Sequence, residues 1–288
     1  MYKFRFTHWI RYSCTRQIES KLSLFSFAIS FVCFVWLNEI VLLILPFLLF
    51  VHQLFCNFAV DMFKKIVKFF RWIIALLFVS TILGVVAYRF IPVYFTPLMF
   101  SRCFEQIANG EDIKLYHDWI SLDEMPKSMP VAVIASEDQR FLSHHGFDYD
   151  AIAQAAKDNM SGEKKIRGGS TISQQTAKNV FLWQGRSWVR KGLEVYFTFL
   201  IETLWSKERI MEVYLNSIEM GDGIYGVQAC AEQNFGIDAK NLTRSDCALI
   251  AATLPNPRRF SSKSPGPYMR KRLKQIERQM KNIPAFKY

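Results

Sequence analysis

Four clusters of residues between positions 137 and 226 combine side chains that could act together on a polar, anionic substrate. The first cluster is Glu137-Asp138-x-x-Phe141-x-x-His144-x-Gly146. A carboxylate at the end of a helix, followed by an ordered loop, can act as a general base. An exposed Glu-Asp pair is more often a solvated charge pair, and a histidine before a glycine is often part of a turn. The cluster alone leaves both interpretations open, with Glu137 as the candidate base.

The second cluster is Arg167-Gly168-Gly169-Ser170-Thr171-x-x-Gln174-Gln175-x-x-Lys178-Asn179. Glycines followed by hydroxyl residues at the start of a helix present N–H groups and hydroxyls to an anion. Ser170 or Thr171 could equally be an ordinary N-cap, which is the usual role of such residues. Two consecutive glutamines and a lysine on one helix exceed what a cap requires. They indicate recognition of a polar anion such as a sugar phosphate.

The third cluster, Arg186-x-x-x-Arg190-Lys191-x-x-Glu194, places three cations and one carboxylate over about three helical turns. It could be a ladder of surface ion pairs, which contributes little stability. It could also clamp a pyrophosphate, with Glu194 organising the cations or a divalent metal.

The fourth cluster is Lys207-x-x-Ile210-x-Glu212-x-Tyr214-Leu215-Asn216, followed by a glycine-bearing segment over residues 221–226. This pattern is typical of a helix, its cap and a turn. We interpret it as structural.

Helices must position all four clusters. Apolar spacing predicts a helix opened by Pro130, helices over 149–159 and 171–180, and helices from Trp188 to Trp205 and Lys207 to Leu215. Glycine-bearing loops at 161–169 and 221–226 separate them, and strand-like alternation is scarce. The sequence therefore predicts a mainly α-helical domain.

One of these helices is unusually aromatic. An aromatic stripe at helical spacing usually belongs to the core, whereas beside a membrane anchor it could dip into the bilayer and meet a lipid substrate. Different faces of one helix could serve both purposes. The stripe comprises Phe181, Trp183, Trp188, Val189, Leu193, Tyr196, Phe197, Phe199, Leu200 and Trp205.

Composition excludes several classes of protein. The chain has 288 residues, 51% of them hydrophobic, which argues against intrinsic disorder and low-complexity structure. Its six cysteines include no C-x-x-C pair, so neither a zinc ribbon nor a thioredoxin motif is present. The net charge of +11 is concentrated beside apolar segments, since residues 1–91 carry 10 basic and 3 acidic groups. That distribution favours a membrane over nucleic acid.

The N-terminal third contains two apolar stretches. From Leu22 to Val60 the only formal charge is Glu39, and from Trp72 to Tyr88 there is none. A basic flank, Lys64 to Arg71, precedes the second stretch, so the positive-inside rule places the residues after 90 across the membrane. A cleaved signal peptide is the alternative, but no small-x-small site follows.

These features predict five regions. Residues 1–61 form a hydrophobic extension, either one long helix, or two helices broken near Glu39 and Pro46, or a segment outside the mature protein if translation begins at Met62. Residues 62–91 form the basic flank and membrane anchor, 92–119 a connector opened by prolines, 120–275 the catalytic domain and 276–288 a basic tail. The stretch 263–288 has 8 basic residues and one acid, and it is either a solvated helix or a helix on anionic headgroups.

Together, in the same order and at the same spacing, the four clusters resemble the glycosyltransferase domain of peptidoglycan polymerases. This domain is shared by class A penicillin-binding proteins and monofunctional peptidoglycan glycosyltransferases. The resemblance covers residues 120–275, including the segment from Leu254 to Phe260, with mild departures at Met211 and Asn234. The chain ends at Tyr288 and has no Lys-Thr-Gly motif, so we expect a monofunctional enzyme without a transpeptidase domain.

The resemblance implies a lysozyme-like helical fold with one lobe partly in the membrane. It implies polymerisation of lipid II into β-1,4 glycan, with Glu137 as the base and Glu194 as the second essential carboxylate on the pyrophosphate side. The other implied binding residues are Asp138, Phe141, His144, Gly169, Ser170, Thr171, Gln174, Gln175, Lys178, Asn179, Arg186, Arg190 and Lys191.

The same resemblance sets expectations for cofactor, partners and location. It allows a divalent cation, Mg or Mn, and assigns no metal ligand. The expected partners are lipid II, the growing glycan chain, membrane lipids and other cell-wall synthesis proteins, with no nucleic acid. The expected location is the bacterial inner membrane, with the catalytic domain on the periplasmic side.

Two other functions remain to be tested. A lysozyme-like glycan-cleaving enzyme needs an acidic carboxylate but no pyrophosphate cradle, so the second and third clusters count against it. A catalytically silent scaffold of cell-wall assembly would not need Glu137 and Glu194.

Overall fold

The computed structural model describes residues 3–154, 169–185 and 187–287. The chain divides into two compact units, residues 1–77 and 78–288. Helix α1 extends from Lys3 to Tyr88 and contains Pro46 in its interior, so of the two helical alternatives the structure has the single long helix and no break near Glu39 or Pro46. Within it, Val41–Tyr88 is long and apolar enough to cross a membrane.

The second unit is built mainly of helices. The longer ones are α2 (Pro97–Ala108), α3 (Ser128–Glu137), α4 (Ile172–Phe181), α5 (Trp188–Leu204), α6 (Lys207–Ser217), α8 (Arg244–Thr253) and α9 (Pro267–Gln279). The shorter ones are α7 (Val227–Cys230), a π-helical turn (Ala231–Phe235) and 3-10 turns at Leu122–Glu124 and Ala239–Asn241. Residues 149–154 are also helical, and the predicted remainder to 159 lies outside the described residues.

A small sheet joins distant parts of this unit. Strands β1 (Tyr116–His117), β2 (Glu219–Gly221) and β3 (Ile224–Tyr225) lie in the order β1-β3-β2. β1 is parallel to β3, with Tyr116 opposite Ile224, and β2 is antiparallel to β3.

The segment 92–119 is more than the connector predicted from its prolines. It contains strand β1 and helix α2. Helix α2 begins here because Pro97 occupies its first turn and the hydroxyl of Thr96 accepts a hydrogen bond from the N–H of Met99 at 3.3 Å. Leu98 and Met99 are buried, and α2 packs against α4.

The core is organised around α3. Residues 129–135 of this helix are all buried, and α3 packs against α8 and α9. The boundary predicted at residue 275 falls inside α9, and Ile276, Met280 and Phe286 are buried in the same core. The end of the chain is therefore packed into the second unit.

The aromatic helix α5 has two different faces. Phe197 and Ile201 are buried, and the Phe197 ring stacks on Phe181 with 4.7 Å between centroids. Trp188 and Phe199 on the other face are 92% and 62% exposed. The core interpretation is thus right for one face, and the other face is exposed; contact of that face with a membrane stays a prediction.

Candidate active site

Glu137 occupies the end of α3, where the helix leaves the core. Because residues 129–135 are buried, the helix emerges from the core with Glu137 as its last residue, partly exposed in a cleft of about 440 Å³. This is the helix-end position that the sequence predicted. The cleft is lined by Glu137, Asp138, Gln139, Arg140, Asp148, Asp150, Ala151, Gln154, Gly169, Ser170 and Thr171.

Two hydrogen bonds hold the Glu137 carboxylate. The hydroxyl of Ser136 donates to Oε1 at 3.1 Å, and the Gln175 amide donates to Oε2 at 3.2 Å. The hydroxyl of Tyr214 donates to Oε1 of the Gln175 amide at 3.2 Å, which fixes the orientation of that amide. The carboxylate is thereby fixed from both sides.

Burial raises the pKa of Glu137 above its usual 4.5, and this is the largest influence on it. The bonds from Gln175 and Ser136 and the charge of Arg272 oppose the rise, whereas the neighbouring Asp138 adds to it. A carboxylate with a raised pKa is a stronger base, so this environment suits proton abstraction.

Asp138 and His144 hold the loop that follows α3. The buried Asp138 carboxylate accepts from His144 Nε2 at 2.9 Å and from the N–H of Ile172 at 3.0 Å. His144 Nδ1 accepts from the N–H of Gly146 at 3.1 Å, so the proton of a neutral ring lies on Nε2. Although Asp138 borders the cleft, its carboxylate and His144 fix the start of α4 relative to α3.

Phe141 lies in the core, with no exposed surface, so it does not reach the substrate directly as its predicted binding role would require. The ammonium of Lys207 sits 4.5 Å from the centre of its ring and donates to the His144 carbonyl at 2.8 Å. Lys207 also pairs with Glu202 at 2.8 Å. The lysine therefore attaches the loop to α5 and α6.

Gly146 is needed where this loop meets α5. Its φ is +87°, and a Cβ atom there would lie 2.9 Å from Thr198 Cγ2. A side chain at this position would be strained in backbone and in packing.

The second cluster forms the first turns of α4. Thr171 is the N-cap, and it forms a capping box with the buried Gln174. The Thr171 hydroxyl also donates to the Gly146 carbonyl at 2.7 Å. The N-cap interpretation is thus right for Thr171, while Gly169 and Ser170 border the cleft.

α4 connects the base to the third cluster. Gln175 and Lys178 are partly exposed within an otherwise largely buried helix, and they lie one turn apart, about 4.5 Å along the axis. Burial, reinforced by the charges of Arg190 and Lys191, lowers the pKa of Lys178, and Glu194 opposes this.

Glu194 organises the cations of the third cluster. Its carboxylate is buried and binds Arg190 at 2.8 Å and Lys191 at 2.5 Å. Lys178 is near enough to this carboxylate to be influenced by its charge, so three cations are offset by one carboxylate and positive charge is in excess. Within the described part of the chain, the buried Nε of Arg190 and Nδ2 of Asn179 have no hydrogen-bond partner. A bound anion could accept a hydrogen bond from each of these two donors. Arg186, with Arg167 and Gly168, lies outside the described residues.

The described residues offer no ligand set for Mg²⁺ or Mn²⁺. No three His, Cys, Asp or Glu side chains among them are grouped around a common point. The oxygens of Glu194 bind Arg190 and Lys191, and Asp138 is bound by His144 and Ile172. A divalent cation stays a prediction.

Four residues of the site were missed from the sequence. Ser136 adjoins Glu137 in the chain, and Lys207 and Tyr214 belong to the fourth cluster, which we interpreted as structural. Arg272 contacts Ser136 from α9, 136 positions along the chain. For Lys207 and Tyr214 the only signal in the sequence was their place in the fourth cluster, and Arg272 had none.

Comparisons with known proteins show which family this chain resembles. A family model described as transglycosylase matches residues 105–281. A biosynthetic peptidoglycan transglycosylase of Bacteroides thetaiotaomicron is 58% identical over 223 residues, which are 77% of this chain and 90% of the relative. One of Pseudomonas aeruginosa is 49% identical over 220 residues, 76% and 93% respectively. One of Caulobacter vibrioides is 53% identical over 195 residues, 68% and 82%.

Proposed function

The chain belongs to the peptidoglycan transglycosylase family, and on that premise we propose that it polymerises lipid II and releases undecaprenyl diphosphate. The family makes it a glycosyltransferase of peptidoglycan synthesis. The proposed substrate, base and stereochemistry are supported by the arrangement of Glu137, helix α4 and the cations Lys178, Arg190 and Lys191.

In the proposed reaction, Glu137 removes the proton from the 4-hydroxyl of the acceptor sugar. The hydroxyl oxygen attacks C1 of the donor sugar, and the bond from C1 to the pyrophosphate oxygen breaks with inversion. A sugar hydroxyl is a weak nucleophile, so a positioned base is required. The Ser136 and Gln175 bonds supply that positioning.

Lys178 of the second cluster and Arg190 and Lys191 of the third cluster receive the leaving group. Pyrophosphate gains negative charge as the bond breaks, and preplaced cations stabilise that charge. The positive charge comes from Lys178, Arg190 and Lys191. Glu194 holds Arg190 and Lys191 in place. The buried Arg190 Nε and Asn179 Nδ2, unpaired among the described residues, would complete the pyrophosphate site.

One observation carries the proposal. Gln175 binds the base, and Lys178, one turn later on α4, belongs to the cation cluster. A single short helix, α4, therefore sets the distance between the base and the leaving-group site.

The membrane location follows from the lipid substrate. Val41–Tyr88 fits a membrane anchor by length and composition. We place the anchor in the inner membrane and the catalytic unit on the periplasmic side because basic residues 64–71 precede the last apolar stretch.

Purified full-length chain in detergent, incubated with labelled lipid II, tests the proposal. We expect a muramidase-sensitive polymer and one undecaprenyl diphosphate for each bond formed. Glu137→Gln should lower the rate by about 10²–10⁴-fold, and Glu111→Gln, which removes an exposed carboxylate, should not. A folded chain that makes no polymer would favour the scaffold, and one that shortens preformed glycan would favour the glycan-cleaving enzyme.

A further inference from the structure

Arg272 reaches the candidate base from the C-terminal helix α9. Its Nη2 donates to the Ser136 carbonyl at 3.2 Å and lies 3.5 Å from the Ser136 hydroxyl. That hydroxyl donates to Glu137 Oε1 at 3.1 Å. The guanidinium is thus separated from the base by one serine side chain.

The contact is built rigidly. Met269 and Ile276 of α9 are buried, and the helix packs on α8 and α3. Arg272 therefore approaches Ser136 from a fixed backbone.

Other arginines of α9 behave differently. Arg270 donates to the Pro265 carbonyl and Arg278 to the Lys274 carbonyl, both within their own segment. Both side chains are exposed, whereas Arg272 is partly buried. Among these three basic residues, Arg272 is the one whose bonds cross to α3.

The Ser136 hydroxyl has two acceptors within reach, Glu137 Oε1 at 3.1 Å and the Ala251 carbonyl at 3.3 Å. It has one proton to donate. A cationic donor on the serine oxygen polarises the hydroxyl and strengthens its bond to a carboxylate.

We propose that Arg272 is a positioning residue for glycosyl transfer, which holds Ser136 and, through it, the Glu137 carboxylate in the orientation of the base. This inference rests on the proposed function of Glu137. It gives the basic C-terminal stretch a role inside the active site.

The charges facing Glu137 determine how Arg272 affects its ionisation. Asp138 at the end of α3 is an acid that disfavours a second negative charge, and Gln175 on α4 is neutral. Tyr214 on α6 stays neutral because burial raises its pKa. Arg272 on α9 is the positive group, and its charge lowers the pKa of Glu137. Removing that charge must therefore raise the pKa of Glu137.

The test uses Arg272→Met, Arg272→Lys and, as a matched control on the same helix, Arg278→Met in the full-length chain. Two measurements are made: the pH profile of lipid II polymerisation, and the infrared carboxyl band that Glu137→Gln removes. The infrared band reports the ionisation of Glu137 without substrate, so it does not depend on the proposed function.

For Arg272→Met we expect kcat to fall about tenfold with KM nearly unchanged, and the acid limb of kcat/KM to rise by about one pH unit. The infrared titration should move by the same amount. Arg272→Lys should keep the original limb, and Arg278→Met should match the unmodified chain.

A loss of activity that is equal at every pH, with the infrared titration unmoved, would show a merely structural role and overturn the inference. An Arg272→Lys titration displaced as far as that of Arg272→Met would also overturn it. If the unmodified chain makes no polymer, the proposed function fails, and the infrared titration still decides whether Arg272 controls Glu137.

Discussion

Replacing Lys178 with methionine removes one cation from the leaving-group site and keeps a side chain of similar length. A unit charge about 4 Å from the pyrophosphate contributes about 4 kcal/mol at an effective dielectric constant of ~20. Arg190 and Lys191 remain, and water screens part of the field because Lys178 is partly exposed. We therefore expect kcat to fall by about 10²–10³-fold.

The pH dependence gives a second, independent check of the same residue. Burial lowers the pKa of Lys178 below its usual 10.5. As the pH rises, Lys178 therefore loses its charge at a lower pH than a free lysine does. The alkaline limb of activity should lie below pH 10.5 for the unmodified chain. An arginine keeps its charge throughout, so in Lys178→Arg the limb should move to higher pH.

Stability should move in the opposite direction from activity. A lysine whose pKa is lowered by folding binds its proton more tightly in the unfolded state, so the charged form destabilises the fold at neutral pH. Lys178→Met should consequently melt no lower than the unmodified chain. A loss of activity then cannot be assigned to unfolding.

The assay is the initial rate of lipid II consumption between about pH 6 and 11, at saturating substrate for kcat and well below KM for the alkaline limb, because kcat/KM reports the pKa values of the free enzyme. Lys271→Met, which removes an exposed cation of α9, is the control. A Lys178→Met rate within about threefold of the unmodified chain would refute the electrostatic argument. So would a Lys178→Arg variant whose alkaline limb does not move.

Three further predictions concern the base and its supports. Burial raises the pKa of Glu137, so kcat/KM should fall as the pH drops through a value above 4.5. The Glu137→Gln variant lacks the buried charge, so its melting temperature should be no lower than that of the unmodified chain. Tyr214→Phe leaves the partly exposed Gln175 amide without the donor that fixes its orientation, so kcat should fall by about five- to twentyfold with KM unchanged in steady-state kinetics. Gly146→Ala should lower the free energy of unfolding in denaturant titrations by about 2–3 kcal/mol. Gly110→Ala shares the positive φ (+70°), but its added methyl meets open space, so it should cost less, and the difference isolates the clash with Thr198. Equal losses would contradict the packing argument.

The sequence predicted the parts of the site that depend on neighbours in the chain. The helix end at Glu137 follows from an apolar run that stops there. An N-cap at Ser170 or Thr171 was one of the two interpretations that the hydroxyl residues allowed, and the structure has it at Thr171. The sequence also placed Gln175 and Lys178 on one helix. These are local consequences of backbone geometry.

The rest depends on packing between distant segments. Arg272 is one of eight basic residues after position 262, and nothing in its immediate sequence distinguishes it from Arg278. Its contact with Ser136 exists because α9 packs on α3, which no local pattern reports. Phe141 is the opposite case. It lies in a motif that the sequence assigned to the substrate, but it is buried in the core and contacts Lys207.

The most direct test of the central claim separates binding from turnover in Glu137→Gln. If Glu137 is the base, the variant should bind lipid II about as tightly as the unmodified chain and consume it at least about 10²-fold more slowly. Normal turnover by the folded variant would show that the proton leaves to another group, and the assignment of the base would be wrong.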